Sequence, residues 1–272
     1  MSNYHYKVMS FGLKNVGSTY QSMVTKMFRK QLGRNMEAYI DNMVVKSKVV
    51  GEHLFNLAET FETLYKHYFK LNASKCAFRV SSGKFLGYLV TNRGIEVNLD
   101  HIIALQNQKP PRNPKEVQCL TGMTTALNRF ISRSADMIRP FIQVLKKWKD
   151  FRWLDKCQVA FDELKLYLSQ APILSRSVVG ETLYMYLAVL DHTVSVVLIR
   201  LDQDIQKPIF YVSKTLMEME THYIPLEKAI LALIHVTQKM PPYFQVHTVI
   251  VLTKHPLQAL LKRADFLGRI VK

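Results

Sequence analysis

Residues 38–45 read AYIDNMVV, a mostly apolar stretch that Asp41 and Asn42 interrupt. The β-branched end of the stretch and the turn-forming Asp-Asn pair predict a hairpin or a buried strand pair. A carboxylate on apolar strands is costly unless it is paired or bound to metal, so Tyr39-Ile40-Asp41-Asn42 is a candidate metal-binding turn. An ordinary hairpin turn explains the same residues, and the stretch alone leaves both interpretations open.

The composition is that of a globular protein with a strong basic excess. The chain has 272 residues, of which 48% are hydrophobic and 21% charged, and this length predicts about two domains. There are 37 Lys+Arg against 21 Asp+Glu, a formal net charge of +16. This excess favours a polyanion such as nucleic acid as the partner. A basic protein without such a partner is the alternative.

Cysteine usage and the longest apolar runs predict an intracellular protein without a membrane segment. The three cysteines are far apart and form no Cys-Xaa-Xaa-Cys pair, so we expect free thiols in a reducing compartment. The first fifteen residues contain no continuous apolar run, so secretion is not expected. The longest apolar run, residues 183–190, is too short to cross a bilayer. The expected location is the cytoplasm or the nucleus, with no membrane partner.

Helix and hairpin patterns alternate before the Pro110-Pro111-Pro114 break, which is the strongest candidate domain boundary. Apolar residues recur at helical spacing over residues 54–69, and residues 23–30 also have a helical pattern. Residues 76–80 and 85–90 flank Ser81-Ser82-Gly83 and predict a second hairpin.

Beyond the prolines the pattern changes to helices and then to a mixed α/β order. Helices are predicted over residues 115–131 and 155–168. The later elements are predicted as strands over 183–190, 194–200, 209–212 and 246–252, with a helix over 226–239.

An ordered series of short motifs carries a family resemblance over nearly the whole chain. The motifs include Phe11-Gly12-Leu13, Tyr39-Ile40-Asp41-Asn42, Lys70-Leu71-Asn72, Phe85-Leu86-Gly87-Tyr88, Leu120-Thr121-Gly122, Asn128-Arg129-Phe130-Ile131 and Leu164-Lys165. In this order they resemble the Ty3/gypsy class of long-terminal-repeat retrotransposon polyproteins, especially plant elements. The resemblance implies an α/β fold in three parts: a partial reverse transcriptase palm (1–98), a helical thumb and connection (99–175) and a truncated ribonuclease H-like mixed sheet (176–272).

The resemblance also implies roles for residues of the polymerase part. Phe11 and Gly12 match the motif that abuts the incoming nucleotide. Asp41 matches the first carboxylate of the polymerase Tyr-Xaa-Asp-Asp turn, and Asn42 replaces the second. The family holds two Mg²⁺ ions with three carboxylates, one of which lies upstream of the nucleotide motif. We therefore expect Asp41 to be at most a remnant that binds no Mg²⁺ productively.

Two further segments match parts that hold the primer and the duplex. Phe85, Leu86, Gly87 and Tyr88 match the hairpin that grips the primer end, and residues 115–131 match the thumb helix that follows the minor groove. Gln118, Gly122 and Ala126 are spaced four apart, so they share one helix face. Small residues there allow a close backbone approach, whereas ordinary helix packing is the alternative.

The ribonuclease H-like part departs from its family at all three catalytic carboxylates. Alignment with the family's strand and helix motifs places Ala188, Ala229 and Lys254 at these positions. Asp191 is an odd number of residues from Ala188, so on a strand it faces the other side. Glu227 is two residues from the metal position and points away on a helix.

We therefore expect a degenerate reverse transcriptase and ribonuclease H fragment that catalyses neither reaction. It would bind an RNA–DNA or DNA duplex weakly and without sequence preference, together with the remainder of the polyprotein where one is present. A nucleic-acid-binding module and a domesticated protein-interaction scaffold remain the alternatives. Binding that is insensitive to salt and to nucleic acid would distinguish the scaffold.

Overall fold

The computed structural model describes residues 9–10, 12–47, 49–80, 82–146 and 150–257. The chain divides into two compact units, Met1–Val80 and Ser81–Lys272. The expected mixed α/β fold class is confirmed. None of the helices formed by the described residues is long and apolar enough to cross a membrane.

The first unit contains two helices and the predicted hairpin. Its elements are α1 (Val16–Met27), β1 (Met36–Tyr39), β2 (Asn42–Val45) and α2 (His53–Lys66). The strands pair antiparallel, which confirms the hairpin. Helix α1 begins at Val16 and ends at Met27, so the helix predicted over residues 23–30 covers only its last part. Val16 and Tyr20 already belong to its apolar spacing. A small core packs these elements together, and its buried members are Val24, Phe28, Met36 and Leu64.

Helix α2 begins where predicted but ends at Lys66, because Tyr68 has a positive φ of 57°, and it buries little of its apolar face. Only Thr60 and Leu64 of its residues are buried. Leu54 is 78% exposed and Tyr65 is 85% exposed. The first unit therefore presents large apolar side chains on its surface, which is unusual for a helix whose spacing predicts core packing.

A three-stranded antiparallel sheet opens the second unit. Its strands are β3 (Gly83–Phe85), β4 (Tyr88–Thr91) and β5 (Gly94–Val97), in the order β3-β4-β5. The prediction that residues 76–80 pair with 85–90 was wrong, because the turn lies at Leu86 and Gly87 instead. Both residues have positive φ (51° and 80°), the geometry of a two-residue hairpin turn. Ser82 and Gly83 are residue types that favour turns, but in this fold they lie at the start of β3.

Four helices follow and share one core. They are α3 (Leu99–Gln106), α4 (Pro114–Ala126), α5 (Ser134–Leu145) and α6 (Asp155–Ser169). The helix predicted over 115–131 ends at Ala126, and a 3-10 turn, Asn128–Phe130, completes the segment. Helices α3 and α5 were not predicted. Fully buried residues of this core include Leu120, Phe130, Phe141, Phe161 and Leu164.

The remaining elements form a four-stranded mixed sheet with helices. They are β6 (Leu183–Val189), β7 (Thr193–Asp202), β8 (Ile205–Thr215), α7 (Glu218–Thr221), α8 (Pro225–Lys239), α9 (Pro241–Val246) and β9 (Val249–Leu252). The strand order is β8-β7-β6-β9, and β9 runs parallel to β6. The predicted strand over 246–252 is shorter, because Pro241 starts the additional helix α9.

Helices cover both faces of this sheet. Helix α8 packs against it in a core that includes Val196 and Val236. Ser195, the neighbour of Val196, points to the opposite face because side chains alternate along a strand. On that face the Ala135 N–H of α5 donates a hydrogen bond to the Ser213 hydroxyl at 3.1 Å. The sheet is thus joined to the helices that precede it.

Candidate nucleic-acid interface

The hairpin that carries Asp41 is held in place by helix α1 of the same unit. Tyr39 and Asn42 are the last paired residues, so Ile40 and Asp41 form a two-residue turn. Ile40 has φ 52°, a conformation that costs free energy for a β-branched residue. Its N–H donates to Gln21 Oε1 of α1 at 2.6 Å. The sequence therefore forms the turn that the family resemblance implies, and α1 holds it in place.

Asp41 is exposed at the tip of this turn. Burial raises the pKa of the Tyr20 phenol above its ordinary value, and the nearby charge of Asp41 raises it further. Within the described residues, no group of three His, Cys, Asp or Glu side chains could hold a metal ion. Two Mg²⁺ ions need several negative oxygens to offset their mutual repulsion. Asp41 beside the neutral amide of Asn42 does not fit that requirement.

The nucleotide-contact pair falls partly outside the described residues. Phe11 is one of the residues that the structure does not describe. Gly12 is exposed and has φ 91°, a conformation that favours glycine. A Cβ at Gly12 would meet no heavy atom of the described residues within 4 Å. Glycine is thus required there by its backbone conformation and not by crowding.

Phe85, Leu86, Gly87 and Tyr88 form the tip of the β3–β4 hairpin. Phe85 and Tyr88 are the terminal strand pair, and the two residues between them form the turn. The Tyr88 ring packs against Phe130, with 5.5 Å between ring centroids. The hairpin that the resemblance assigns to the primer end is therefore anchored on the 3-10 turn that follows α4.

Gln118, Gly122 and Ala126 lie together on one exposed face of α4. Val117 and Leu120 on the other side of the helix are fully buried. Among the described residues, a Cβ at Gly122 would meet nothing within 4 Å, so none of the described elements packs on this glycine. The face that the spacing singles out is thus open, and the helix-packing alternative does not describe it.

Cations surround the start and the end of α4. Lys109, Arg112 and Lys115 are exposed, and none of the ion pairs among the described residues includes them. At the other end, Arg129 Cζ lies over the rings of Tyr88 and Phe210, 5.1 and 4.7 Å from their centroids. The region has the charge and the aromatic support that phosphate-binding surfaces use.

Two of the three residues that the resemblance aligns with ribonuclease H carboxylates lie at neighbouring strand ends. Tyr186 of β6 and Leu252 of β9 are the last registered pair of these parallel strands. Ala188 and Lys254 each follow two residues later, and both are exposed. Ala229 is fully buried on α8. Alanine methyl groups and an ammonium cannot coordinate Mg²⁺, so these residues do not fit the family's metal site.

Glu227 and Asp191, the two acids near these positions, take part in other contacts, Glu227 through its carboxylate and Asp191 through its backbone carbonyl. Glu227 Oε2 accepts a hydrogen bond from the Ile224 N–H at 3.2 Å and so caps α8. Asp191 lies in the turn between β6, which ends at Val189, and β7, so the argument from strand faces does not apply to it. Its carbonyl oxygen accepts a hydrogen bond at 2.9 Å from the ammonium of Lys228, which is buried.

Sequence reasoning missed two basic side chains that organise this region. Arg129 was identified only as part of the Asn128-Arg129-Phe130-Ile131 motif, although its guanidinium lies over the rings of Tyr88 and Phe210. Lys165 was identified only as part of the Leu164-Lys165 motif, although its ammonium binds two backbone carbonyls. The Leu-Lys motif was the one available signal for Lys165.

Two family models match the chain. The reverse transcriptase (RNA-dependent DNA polymerase) model matches residues 1–90. The model of the RNase H-like domain found in reverse transcriptase matches residues 153–251.

Curated relatives include transposon polyproteins from insects and yeast. The Retrovirus-related Pol polyprotein from transposon opus of Drosophila melanogaster is 28% identical over 98% of this chain and 28% of its own length. That from transposon 297 of the same organism is 28% identical over 95% of this chain and 24% of its own. The Transposon Tf2-7 polyprotein of Schizosaccharomyces pombe is 24% identical over 98% of this chain and 20% of its own. The chain thus spans about a quarter of the length of these relatives.

Solved structures with the same fold come from foamy virus. The protease-reverse transcriptase in complex with an RNA/DNA hybrid has a TM-score of 0.82 at 20% identity, over 97% of this chain and 37% of that one. The complex with double-stranded DNA has a TM-score of 0.79 at 20% identity, over 97% of this chain and 58% of that one. The relatives of the chain include the Tf2 elements, which are of the Ty3/gypsy type. Both family models and these relatives show that the chain belongs to the reverse transcriptase and RNase H-like region of retrotransposon Pol polyproteins.

Proposed function

We propose that this chain is a non-catalytic, duplex-binding segment of a retrotransposon polyprotein whose ancestor was an RNA-directed DNA polymerase. The observation that carries the proposal is the open face of α4, formed by Gln118, Gly122 and Ala126. Exposed cations precede this face, and small residues on it allow a phosphate backbone to approach closely. The foamy virus proteins of the same fold are in complex with double-stranded DNA and with an RNA/DNA hybrid, which supports a duplex as the ligand.

The proposed parts of the chain are a partial palm at residues 1–98, a thumb and connection at 99–175 and a ribonuclease H-like part at 176–272. In this division the α4 face belongs to the thumb. The hairpin of Phe85 to Tyr88 belongs to the palm and would meet the end of the same duplex.

The lack of catalysis is inferred from the residues at the metal positions. Asn42 is neutral where the family has a carboxylate, and Ala188, Ala229 and Lys254 replace all three acids of the ribonuclease H-like part. An ammonium at Lys254 repels a divalent ion but attracts a phosphate. The ribonuclease H-like part would then still bind a duplex without cleaving it.

Binding is tested by fluorescence anisotropy with a labelled RNA–DNA hybrid and a DNA duplex at several salt concentrations. We expect weak, sequence-independent binding that falls steeply with salt. The triple variant Lys109→Gln, Arg112→Gln and Lys115→Gln should reduce the salt slope by about 2.7, since each phosphate contact contributes about 0.9. The control variant Arg152→Gln, Lys156→Gln and Arg176→Gln removes the same charge from exposed residues elsewhere and should change the slope less. A flat salt dependence of the unmodified chain would contradict the proposal.

Catalysis is tested separately on a primed RNA template and on a labelled hybrid, each with Mg²⁺ and with Mn²⁺. We expect neither primer extension nor hybrid cleavage, and we expect Asn42→Asp alone to restore no extension. Extension that disappears in Asp41→Ala, or cleavage by the unmodified chain, would show that the metal positions are wrongly assigned.

A protein-interaction scaffold is the second candidate, because α2 exposes Leu54, Phe55 and Tyr65. Apolar side chains of this size on one surface are typical of protein contacts. Loss of nucleic-acid binding at low salt, together with retained folding, would favour the scaffold.

A further inference from the structure

The side chain of Lys165 joins α6 to the end of α3. Its Nζ donates hydrogen bonds to the carbonyl oxygens of Gln106 at 2.9 Å and of Gln108 at 2.7 Å. In return, Gln106 Nε2 donates to the Lys165 carbonyl oxygen at 2.6 Å. The ammonium also lies over the Phe161 ring, 4.4 Å from its centroid, in a cation–π contact.

These contacts fix the backbone where α3 ends. The last carbonyl groups of a helix have no partner within the helix and carry partial negative charge. The Lys165 ammonium binds one such carbonyl, that of Gln106, and also the carbonyl of Gln108 just beyond the helix. Both are charge-assisted hydrogen bonds, which are stronger than neutral ones. The chain is therefore held at the last residue of α3 and again two residues later.

The other end of the same segment is fixed by Glu116. Its Oε2 accepts a hydrogen bond from the Arg112 N–H, and its Oε1 accepts one from Asn113 Nδ2, both at 2.7 Å. The Glu116 N–H in turn donates to Asn113 Oδ1 at 3.0 Å. We name residues 107–113, which join α3 to α4, the basic connector. It contains Pro110 and Pro111, which restrict its backbone further.

The basic connector carries two exposed cations, Lys109 and Arg112, and a third exposed cation, Lys115, follows in the first turn of α4. We propose that Lys165 is a positioning residue that holds Lys109 and Arg112 in one array with Lys115 against the phosphates of a nucleic-acid duplex. The ammonium of Lys165 itself is occupied by two carbonyls and does not contact the phosphate. This inference rests on the proposed duplex binding and adds the residue that aligns its basic part.

The test compares salt slopes of duplex binding for the full chain and three variants. Lys165→Met keeps the apolar stem on Phe161 but removes both hydrogen bonds. Lys165→Arg keeps a cation and its donors. Lys156→Met removes the same charge from the exposed side of α6, where Lys156 binds only the Gln143 side chain among the described residues.

We expect Lys165→Met to lower the salt slope by about 1.8, the value of two phosphate contacts, because a released connector no longer aligns its cations. Lys165→Arg should restore most of the slope, and Lys156→Met should leave it within about 0.5. A merely structural role would lower the thermal midpoint and leave the slope of the folded fraction unchanged.

The outcomes separate this inference from the proposed function. Steep salt dependence in the unmodified chain with an unchanged slope in Lys165→Met overturns the positioning role alone. A slope reduced by only about 0.9 also overturns it, because Lys165 would then be a direct phosphate contact. If the unmodified chain does not bind, the proposed function fails first. If Lys165→Met does not fold, two glycines inserted between Lys109 and Pro110 loosen the exposed connector instead, and an unchanged slope there overturns the inference.

Discussion

The hydroxyl oxygens of Ser195 and Ser213 lie 2.8 Å apart, directly opposite each other on β7 and β8. Ser213 also accepts a hydrogen bond from the Ala135 N–H of α5. One serine hydroxyl therefore joins two strands of the ribonuclease H-like sheet to a helix of the preceding core. Such a group is costly to remove because a buried donor loses its acceptor.

We predict that Ser213→Ala lowers the free energy of unfolding by about 1–3 kcal/mol, since the Ala135 N–H is left unsatisfied. Urea denaturation at constant m-value measures this change. The control is Ser169→Ala, whose exposed hydroxyl bonds only to the Leu166 carbonyl among the described residues. It should cost less than about 0.5 kcal/mol. Equal costs for the two variants would contradict the prediction.

Gly94 permits a backbone contact that no other residue would allow. Its φ is 145°, and a Cβ there would lie 2.1 Å from the Leu174 carbonyl oxygen. We predict that Gly94→Ala destabilises the chain by about 3–5 kcal/mol, from backbone strain together with the clash. The control Gly180→Ala has a positive φ of 83° but open space around it, so it should cost only about 1 kcal/mol. Similar thermal midpoints for both variants would show that the clash is relieved.

From the surroundings of the Tyr167 phenol we predict that the free energy of unfolding falls at alkaline pH. The phenol donates to the Phe130 carbonyl at 3.1 Å and accepts from the Ser132 N–H at 3.0 Å. Burial raises its pKa above the ordinary value of 10.0, and the hydrogen bond from Ser132 partly opposes the shift. A raised folded-state pKa contributes stability that is complete below the unfolded pKa and is lost as pH rises through the folded one.

We therefore expect the free energy of unfolding to fall above about pH 10, and to fall less steeply in Tyr167→Phe. Urea titrations between about pH 9 and 11 measure both slopes. Tyr211, whose pKa burial also raises, retains part of the effect in the variant. Parallel slopes for the two proteins would rule out Tyr167 as the source.

Substitution of Gly122 should change the stability of α4 and the affinity for a duplex in opposite directions. Because the glycine is an exposed residue within α4, Gly122→Ala should raise the free energy of unfolding by about 0.5–1 kcal/mol. The added methyl group at a close contact should weaken duplex binding by about 1 kcal/mol, roughly fivefold, and Gly122→Leu by more. The control Val159→Ala changes an exposed residue of α6, outside this face, and should leave affinity unchanged. Unaltered affinity in Gly122→Leu would remove this face from the interface.

Elements with a single clear period were predictable. The apolar spacing over 155–168 matches α6 (Asp155–Ser169). The strands predicted over 194–200 and 209–212 lie within β7 and β8, although β8 extends beyond the prediction at both ends. Helix α5 was missed because Pro140 interrupts a spacing that otherwise places Ile138 and Phe141 in the core. The β3–β4 turn was misplaced because Ser-Ser-Gly has stronger turn chemistry than Leu86-Gly87.

The candidate site was predictable where the motif is local. The Asp41 turn and the exposed face of Gln118, Gly122 and Ala126 follow from short spacings. The contact of Lys165 with the carbonyls of Gln106 and Gln108 does not, because it joins segments far apart in sequence and uses backbone atoms that every residue has. A long-range bond to backbone leaves no pattern in the sequence at either end.

Ile95 and Leu174 exchange both of their backbone hydrogen bonds, at 2.8 and 2.9 Å. The chain therefore enters and leaves the lobe of α3 to α6 at one point. A lobe with adjacent ends can be exchanged as a block, because the flanking chain spans the same short distance before and after the exchange. Recombination between related element copies should preserve folding when both crossovers fall beside this bridge. Crossovers inside the lobe would instead combine halves of a core that did not evolve together.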